Sequence, residues 1–427
     1  MVVLKNKVLC FVELFLAAVY LFALVLALTE RPDVEIVGQH FTYRTGKYPH
    51  RANLLLAFSL NIWYNKHDKT TVERSGKRMG IYLNPGNDLF VEAANSEIYV
   101  DKTMLIAFTN QVIGTSQKHI CVSRPRRFGK SIAENMLVAY YSKGCDSDEL
   151  FSRFKISKAP DYKKHLNQYH VIHVDIQKFL SRTKSIQDLL GFMQKRILKE
   201  MRRMFSSVDP DEVSLITVLE DLHSGTGEKF IFIIDEWDCI FRIYKNDGAA
   251  QKVYLDFLRD LFKNQPYVAL AYMTGILPIK KYGEHSALNM FTEYSMTESV
   301  PLSKFMGFTT EEVQALSEEY GVSYDMVQAW YDGYLIDGME IYNPWSVISY
   351  FANHCRSQSY WDIPLNQTML KQLIPIASHG QHNSLLQLHD GQNITAVIEE
   401  ETFYEDVGKN VDALYTFLLS NGCLTTE

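Results

Sequence analysis

The sequence predicts an α/β fold: a parallel sheet with flanking helices, followed by a helical C-terminal region. From Met79 onward, short apolar runs alternate with segments of helical period. One run, His119 to Ser123, leads through a basic loop into Gly129-Lys130-Ser131. Another, Phe230 to Ile234, closes on Asp235-Glu236.

The elements follow in order. Residues 89–95 and 103–113 read as helices flanking a short extended piece, Glu97 to Asp101. His119–Ser123 is a strand. Ser131–Ser142 is a helix with Ile132, Met136, Leu137 and Tyr140 on one face. Val171–Ile176 is a strand with Asp175 near its end, and residues 185–205 form a long basic helix. Phe230–Ile234 is apolar throughout, as a strand buried on both faces must be. Gln251–Phe262 is a helix and Val268–Thr274 a buried strand. Such strands, alternating with helices, pair in parallel through right-handed crossovers and bind ligands at their carboxyl ends. Ser123, Asp175, Asp235 and Thr274 fall at those ends. After residue 305 the strand signal fades. Thr309–Tyr320, Ser323–Tyr331, Pro344–Ala352 and Asp412–Ser420 read as helices. The expected domains are 79–305 and a helical 306–427.

Residues 1–78 are of another character. Val8 to Leu28 is almost wholly apolar, long enough for a membrane-spanning helix, and broken by a costly Glu13. Basic residues outnumber acidic ones in 31–78, which would keep the C-terminal side cytoplasmic if the run is an anchor. Three readings stand: an N-terminal apolar helix that anchors the chain, an upstream extension read from an early start codon, or a folded cytosolic element. The sheet needs no strand from 1–78.

The net charge of −7 over 427 residues excludes a generally basic, nucleic-acid-coating surface but leaves room for a local basic patch. The six cysteines are scattered, without metal spacing, and read as reduced thiols of a cytoplasmic protein. His379 and His382 are three apart in a glycine-containing polar stretch, a poor metal pair.

Gly129-Lys130-Ser131, between a strand and a helix, is the phosphate-gripping end of a P-loop. Gly129 lets the backbone approach a phosphate, and the amides that follow form an anion nest at the helix start. Lys130 would bridge the β- and γ-phosphates of ATP, and Ser131 and Asp235 would hold Mg²⁺. Glu236 is placed to act on an attacking water. The competing reading is a basic turn with a solvated Lys130. The glycine usual five residues before Gly129 is replaced by Arg124. Arg126 and Arg127 would neutralise phosphate, act across a subunit boundary, or grip an acidic partner. Thr274 senses the γ-phosphate or caps a turn, Asp175 is similarly ambiguous with the structural reading preferred, and Asp238 is a weaker candidate for the base or a helix cap. The aromatic runs 330–334 and 342–346 stack bases or, as the better reading, pack between the two domains.

Five stretches then fall into a familiar order. They are Ile98-Tyr99-Val100-Asp101-Lys102-Thr103, Arg124-Pro125-Arg126-Arg127-Phe128-Gly129-Lys130-Ser131, Ile234-Asp235-Glu236-Trp237-Asp238, Met273-Thr274-Gly275, and Trp330-Tyr331-Asp332-Gly333-Tyr334 with Tyr342-Asn343-Pro344-Trp345. From about Met79 onward the chain resembles the bacterial AAA-ATPase-like family, relatives of the STAND-type P-loop ATPases. The resemblance implies ATP on the loop from Arg124 to Ser131, with arginine at the first glycine position as a family trait. It also implies a Walker B role for Asp235 and Glu236. Longer relatives carry a PD-(D/E)xK nuclease-like domain, but the Asp and Glu-x-Lys pattern is missing, so nuclease activity is not implied. The expected function is a P-loop ATPase with slow, Mg²⁺-dependent hydrolysis driving a conformational switch. The alternative is a module that holds ATP without turnover, or one that grips a protein or nucleic acid partner. Homo-oligomerisation stays open.

Overall fold

The computed structural model describes residues 2–6, 79–245, 247–279, 287–360, 384–385, 387–388, 392–398 and 411–426. The chain divides into two compact units, Met1–Val12 together with Met79–Glu427, and Glu13–Arg78. The second unit lies wholly outside the described residues, and so do the apolar run 8–28 and the His379/His382 pair. Among the described residues, no helix is long and apolar enough to cross a membrane.

The first unit is built on a five-stranded parallel sheet in the order β3-β4-β5-β2-β6. Its strands are β2 (His119–Ser123), β3 (His170–Asp175), β4 (Phe230–Asp235), β5 (Val268–Gly275) and β6 (Thr292–Tyr294). In β4 every residue is buried, and side chains alternate between two cores. Phe230, Phe232 and Ile234 enter one, whereas Ile231 and Ile233 enter the other. The first core is covered by α4 (Ile186–Met204), α5 (Leu215–Thr226) and α6 (Gly248–Phe262). The second is covered by α1 (Asp88–Ala94), α2 (Met104–Val112) and α3 (Lys130–Tyr141). Helices thus flank both faces, as the alternating pattern predicts.

Register brings the strand ends into line. Asp175 pairs with Asp235, Ile234 with Met273, Val122 with Thr274, and Ser123 with Gly275. Three crossover connections therefore deliver Ser123, Asp235 and Thr274 to one edge.

The region after 305 is not purely helical. It carries α7 (Thr310–Glu319), α8 (Tyr324–Tyr331), α9 (Pro344–Ala352) and α10 (Val411–Ser420), close to the expected helices. It also holds an antiparallel sheet of β7 (Phe308–Thr309), β9 (Met339–Tyr342) and β8 (Tyr334–Ile336). The β8–β9 hairpin turns on Asp337-Gly338, both at positive φ (50° and 75°). That dipeptide is the usual chemistry of a two-residue hairpin. Residues 79–427 fall in a single compact unit, with no division between 305 and 306.

The expectation for 1–78 needs one correction. These residues give the parallel sheet none of its five strands, but Val2–Asn6 forms a strand, β1. It pairs antiparallel with β10 (Ile394–Ala396) and β11 (Leu424–Thr426). The first residues thus join the fold of the C-terminal region.

Two glycines probe this packing in opposite directions. Gly307 sits at φ +101°, and a Cβ there would lie 2.3 Å from Ile341 Cγ2. Gly307→Ala is expected to cost about 3 kcal/mol, from left-handed strain plus overpacking. Gly191 lies inside α4 with open space where a Cβ would go. Gly191→Ala is expected to gain about 0.5–1 kcal/mol from helix propensity. Urea denaturation of both variants checks the two signs.

Candidate nucleotide site

β2 is buried throughout and ends at Ser123. The loop that follows is pinned at once, because Arg124 N–H donates to Gly275 O at the end of β5 (3.1 Å). It then curls through two left-handed residues, Arg127 (φ +68°) and Gly129 (φ +89°). A Cβ on Gly129 would meet nothing within 4 Å, so the position calls for glycine because of its backbone angle, not crowding. α3 begins at Lys130, and its first amides, together with the helix dipole, make the loop attractive to an anion.

Lys130 is buried, which sets aside the solvated turn. Its Nζ donates to Arg124 O and Pro125 O, each at 3.0 Å. Burial lowers its pKa, and the nearby charges of Glu236, Asp235 and Asp238 oppose that shift. The cation therefore stands beside the acids at the end of β4.

Ser131 Oγ donates to Asp235 Oδ2 at 2.8 Å. The other oxygen, Oδ1, is bonded at 2.9 Å to Thr274 Oγ1, which also contacts Glu134 Oε1. The Thr274 hydroxyl thus faces Asp235 and Glu134 and does not cap a turn. Burial, followed by the neighbouring charge of Asp235, pushes the Glu134 carboxyl well above the usual range. A hydroxyl has one proton, so a protonated Glu134 completes the arrangement by donating to Thr274 while Thr274 donates to Asp235. The nearby imidazole does not counter this. His173 Nε2 lies 3.8 Å from Glu134 Oε2, and burial holds the His173 pKa down to about 4.

Glu236 follows Asp235 with a left-handed backbone, φ +55°. Its carboxylate is held by Arg242 Nη2. Arg242 Nε also lies 3.5 Å from Asp238 Oδ2, which accepts Leu277 N–H at 3.1 Å. Burial disfavours the Arg242 charge, but Asp238 and Glu236 outweigh it and hold the guanidinium firmly protonated. Asp238 is fully buried, and its role is to anchor Arg242 and the Leu277 backbone. Arg126 is half-buried and feels Arg242, Glu236 and Asp238.

The other loop side chains face protein. Arg124 is fully buried, and its guanidinium donates to Ser123 O (2.9 Å), Tyr294 O (3.2 Å), Ser295 O and Ser299 Oγ. The guanidinium thus ties the loop to β6 and the segment beyond, so any part Arg124 takes in the loop's expected nucleotide binding falls to its backbone. Pro125 packs against Gly422, where a Cβ would come within 3.0 Å of its ring. Phe128 meets Tyr334 at 5.2 Å between ring centroids. The Arg127 guanidinium lies 4.4 Å from the Trp345 ring centroid. The loop groups left to meet a phosphate would therefore be its backbone, Arg126, Lys130 and Ser131. Asp175 takes the structural reading: its Oδ1 accepts Lys178 N–H at 3.1 Å and caps a short helix. Among the described residues, no group of three or more His, Cys, Asp or Glu is placed to hold a metal on its own.

Sequence reasoning missed Glu134, His173 and Arg242. Glu134 carried a weak signal, since it lies three residues after Ser131 on one helix. Arg242 carried a local signal as well, since it follows Asp238 by four residues and Glu236 by six.

Residues 90–283 match the family described as "Predicted AAA-ATPase", so the resemblance carried by the loop, the Asp235-Glu236 strand and Met273-Thr274-Gly275 holds across that stretch. Trp330–Tyr334 and Tyr342–Trp345 lie beyond it. An uncharacterized protein in the vnfD 5′ region of Azotobacter chroococcum mcd 1 is 25% identical over 271 residues, covering 62% of this chain and 50% of that protein. The chain thus spans about half the length of that relative. Among solved structures, Cdc6p from Pyrobaculum aerophilum is similar at TM-score 0.28 and 9% identity, over 53% of this chain and 52% of that one. PCH-2 of C. elegans is similar at TM-score 0.25 and 12% identity, over 57% and 50%. Both likenesses are slight, and nothing rests on them.

A protonated Glu134 has a pH signature. A carboxyl whose pKa is raised on folding keeps its proton when the unfolded chain loses it, so it lowers stability as pH rises past the ordinary carboxylate range. Glu134→Gln keeps the shape and removes that titration. The variant is expected to gain stability relative to the parent between pH 5 and pH 8, read as the difference in thermal midpoint. A constant difference would mean that Glu134 is ionised in the fold.

Proposed function

We propose that this protein binds Mg²⁺·ATP on the loop 124–131 and hydrolyses it slowly, using the nucleotide to switch the contacts between that loop and residues 306–427. The hydrogen bond from Ser131 Oγ to Asp235 Oδ2 carries the reading. It brings a hydroxyl and a carboxylate, one from each motif, to a single point beside an anion-attracting helix start. Two hard oxygens there suit Mg²⁺, which takes few protein ligands and keeps waters and phosphate oxygens. When bound, the ion would neutralise charge on the transferring phosphoryl group.

The chain's own groups divide the remaining work. The amides at the start of α3 receive phosphate oxygens, and Lys130 adds a positive charge there. Thr274 fixes one oxygen of Asp235 and leaves the other to Ser131. Glu236 orients the water and takes its proton. Arg242 holds that carboxylate, so turnover requires this pair to loosen, which favours slow hydrolysis. The same pair favours a second reading, a module that holds ATP without turning it over. A nucleic acid grip through the loop arginines is less well supported, because Arg124 and Arg127 are committed within the protein.

Lys130→Ala is expected to weaken Mg²⁺·ATP binding by about 2–3 kcal/mol, roughly thirty- to a hundredfold or more, while melting cooperatively at a lower midpoint, because Arg124 O and Pro125 O lose their donor. Calorimetric titration measures this, and unchanged affinity removes the ATP reading. Glu236→Gln is expected to bind Mg²⁺·ATP as the parent does but to release no phosphate. Release at the parental rate would take the base role away from Glu236. A parent that binds but never hydrolyses selects the second reading.

A further inference from the structure

A loop that grips phosphates leaves the base of a nucleotide to be held elsewhere, and a flat heteroaromatic ring is best held by stacking. The aromatic residues after 305 divide into two sets. Tyr331, Tyr334 and Tyr342 are buried, as the core-packing reading expects. Trp330 (50% exposed) and Trp345 (48%) are not. Of the two, it is Trp345 that has Arg127 of the loop against its ring, and it is exposed although Pro344, Ser346 and Val347 around it are buried.

Its position is fixed. Asn343 caps α9, with Oδ1 accepting Trp345 N–H at 3.0 Å and Ser346 N–H at 3.3 Å, and Pro344 occupies the first helical position. Asn343 is itself buried, and its Nδ2 has no hydrogen-bond partner among the described residues. The indole stands against the phosphate loop, with the Arg127 guanidinium 4.4 Å from its centroid. Arg127 is further placed by Nη1 donating to Tyr360 O at 3.4 Å. A second exposed apolar side chain, Ile132 at 45%, lies in the first turn of α3, next to Ser131. A large, rigid, half-exposed aromatic ring beside a phosphate loop has the flat shape and the open surface that a base requires.

We propose that Trp345, backed by Arg127, is the platform on which the purine ring of the bound nucleoside triphosphate stacks. This inference rests on the reading of Gly129-Lys130-Ser131 as the phosphate grip, and it adds recognition of the base by the C-terminal region. Stacking favours larger rings, so purine triphosphates should bind better than pyrimidine ones, and both better than inorganic tripolyphosphate.

The test compares ATP with inorganic tripolyphosphate, each with Mg²⁺, on the full chain by calorimetry. Trp345→Ala is expected to weaken ATP binding tenfold or more and to leave tripolyphosphate within twofold. Trp345→Phe, which keeps a ring, should stay within about threefold of the parent for ATP. In the parent, ATP should change indole emission, tripolyphosphate should not, and Trp345→Phe should abolish the change. That readout holds even if the alanine variant is unstable. Unchanged ATP affinity in Trp345→Ala overturns the proposal, and so does an equal loss for both ligands, which would make Trp345 a prop for the loop or a surface for another partner. A parent that binds tripolyphosphate no more weakly than ATP overturns the platform while leaving the phosphate grip intact. A parent that binds neither removes the grip and the platform together.

Discussion

Asp235 is the point at which the architecture closes. Its two carboxylate oxygens are shared between Ser131 at the start of α3 and Thr274 at the end of β5. Three elements far apart in sequence are thereby fixed on one buried side chain. The sheet register makes this possible by placing Ile234 beside Met273 and Val122 beside Thr274. A one-residue slip in either ladder would turn the site residues to the opposite face of the sheet. The apolar strands earn their place in this way, because their burial on both faces fixes the edge where polar chemistry collects.

The loop is held from two directions. From below, Arg124 fastens it to β6 and the segment beyond. From the side, the region after 305 meets it through Gly422 on Pro125, Tyr334 on Phe128 and Trp345 on Arg127. Six of the eight residues from Arg124 to Ser131 have side chains occupied by protein contacts before any phosphate is considered: Arg124, Pro125, Arg127, Phe128, Lys130 and Ser131. Three of these contacts, at Pro125, Arg127 and Phe128, come from the C-terminal elements, so the proposed switch would have to act through them.

Most of the parallel sheet was legible in the sequence, and the reason is physical. Buried parallel strands are near-continuous apolar runs, so His119–Ser123 and Phe230–Asp235 announce themselves. The short elements do not. β6 is a three-residue edge strand, too brief and too little buried to leave a pattern. β8 and β9 are similarly short, although Asp337-Gly338 carried a hairpin signal that the surrounding helices masked. At the site, Lys130, Ser131, Asp235 and Thr274 were legible because motif and strand end coincide. Glu134 and Arg242 were not: tertiary folding alone brings Glu134 to Thr274, whereas Arg242 follows Asp238 by four residues and Glu236 by six, a local spacing that no motif highlights. Arg124 misled for a related reason: a sequence shows the charge, but only the fold shows its burial.

The Asp337-Gly338 turn has a reach that its position on a hairpin tip conceals. Asp337 Oδ2 accepts Ser299 N–H at 2.9 Å and Ser303 Oγ–H at 2.8 Å, and Ser299 Oγ in turn receives the Arg124 guanidinium. The turn, the segment before β7 and the root of the phosphate loop thus form one chain of polar contacts. In mechanical terms the hairpin tip is braced, through Ser299, against the residue at which the loop begins. A force or a partner acting on that tip would be felt where the loop leaves the sheet, without touching any group that meets the nucleotide.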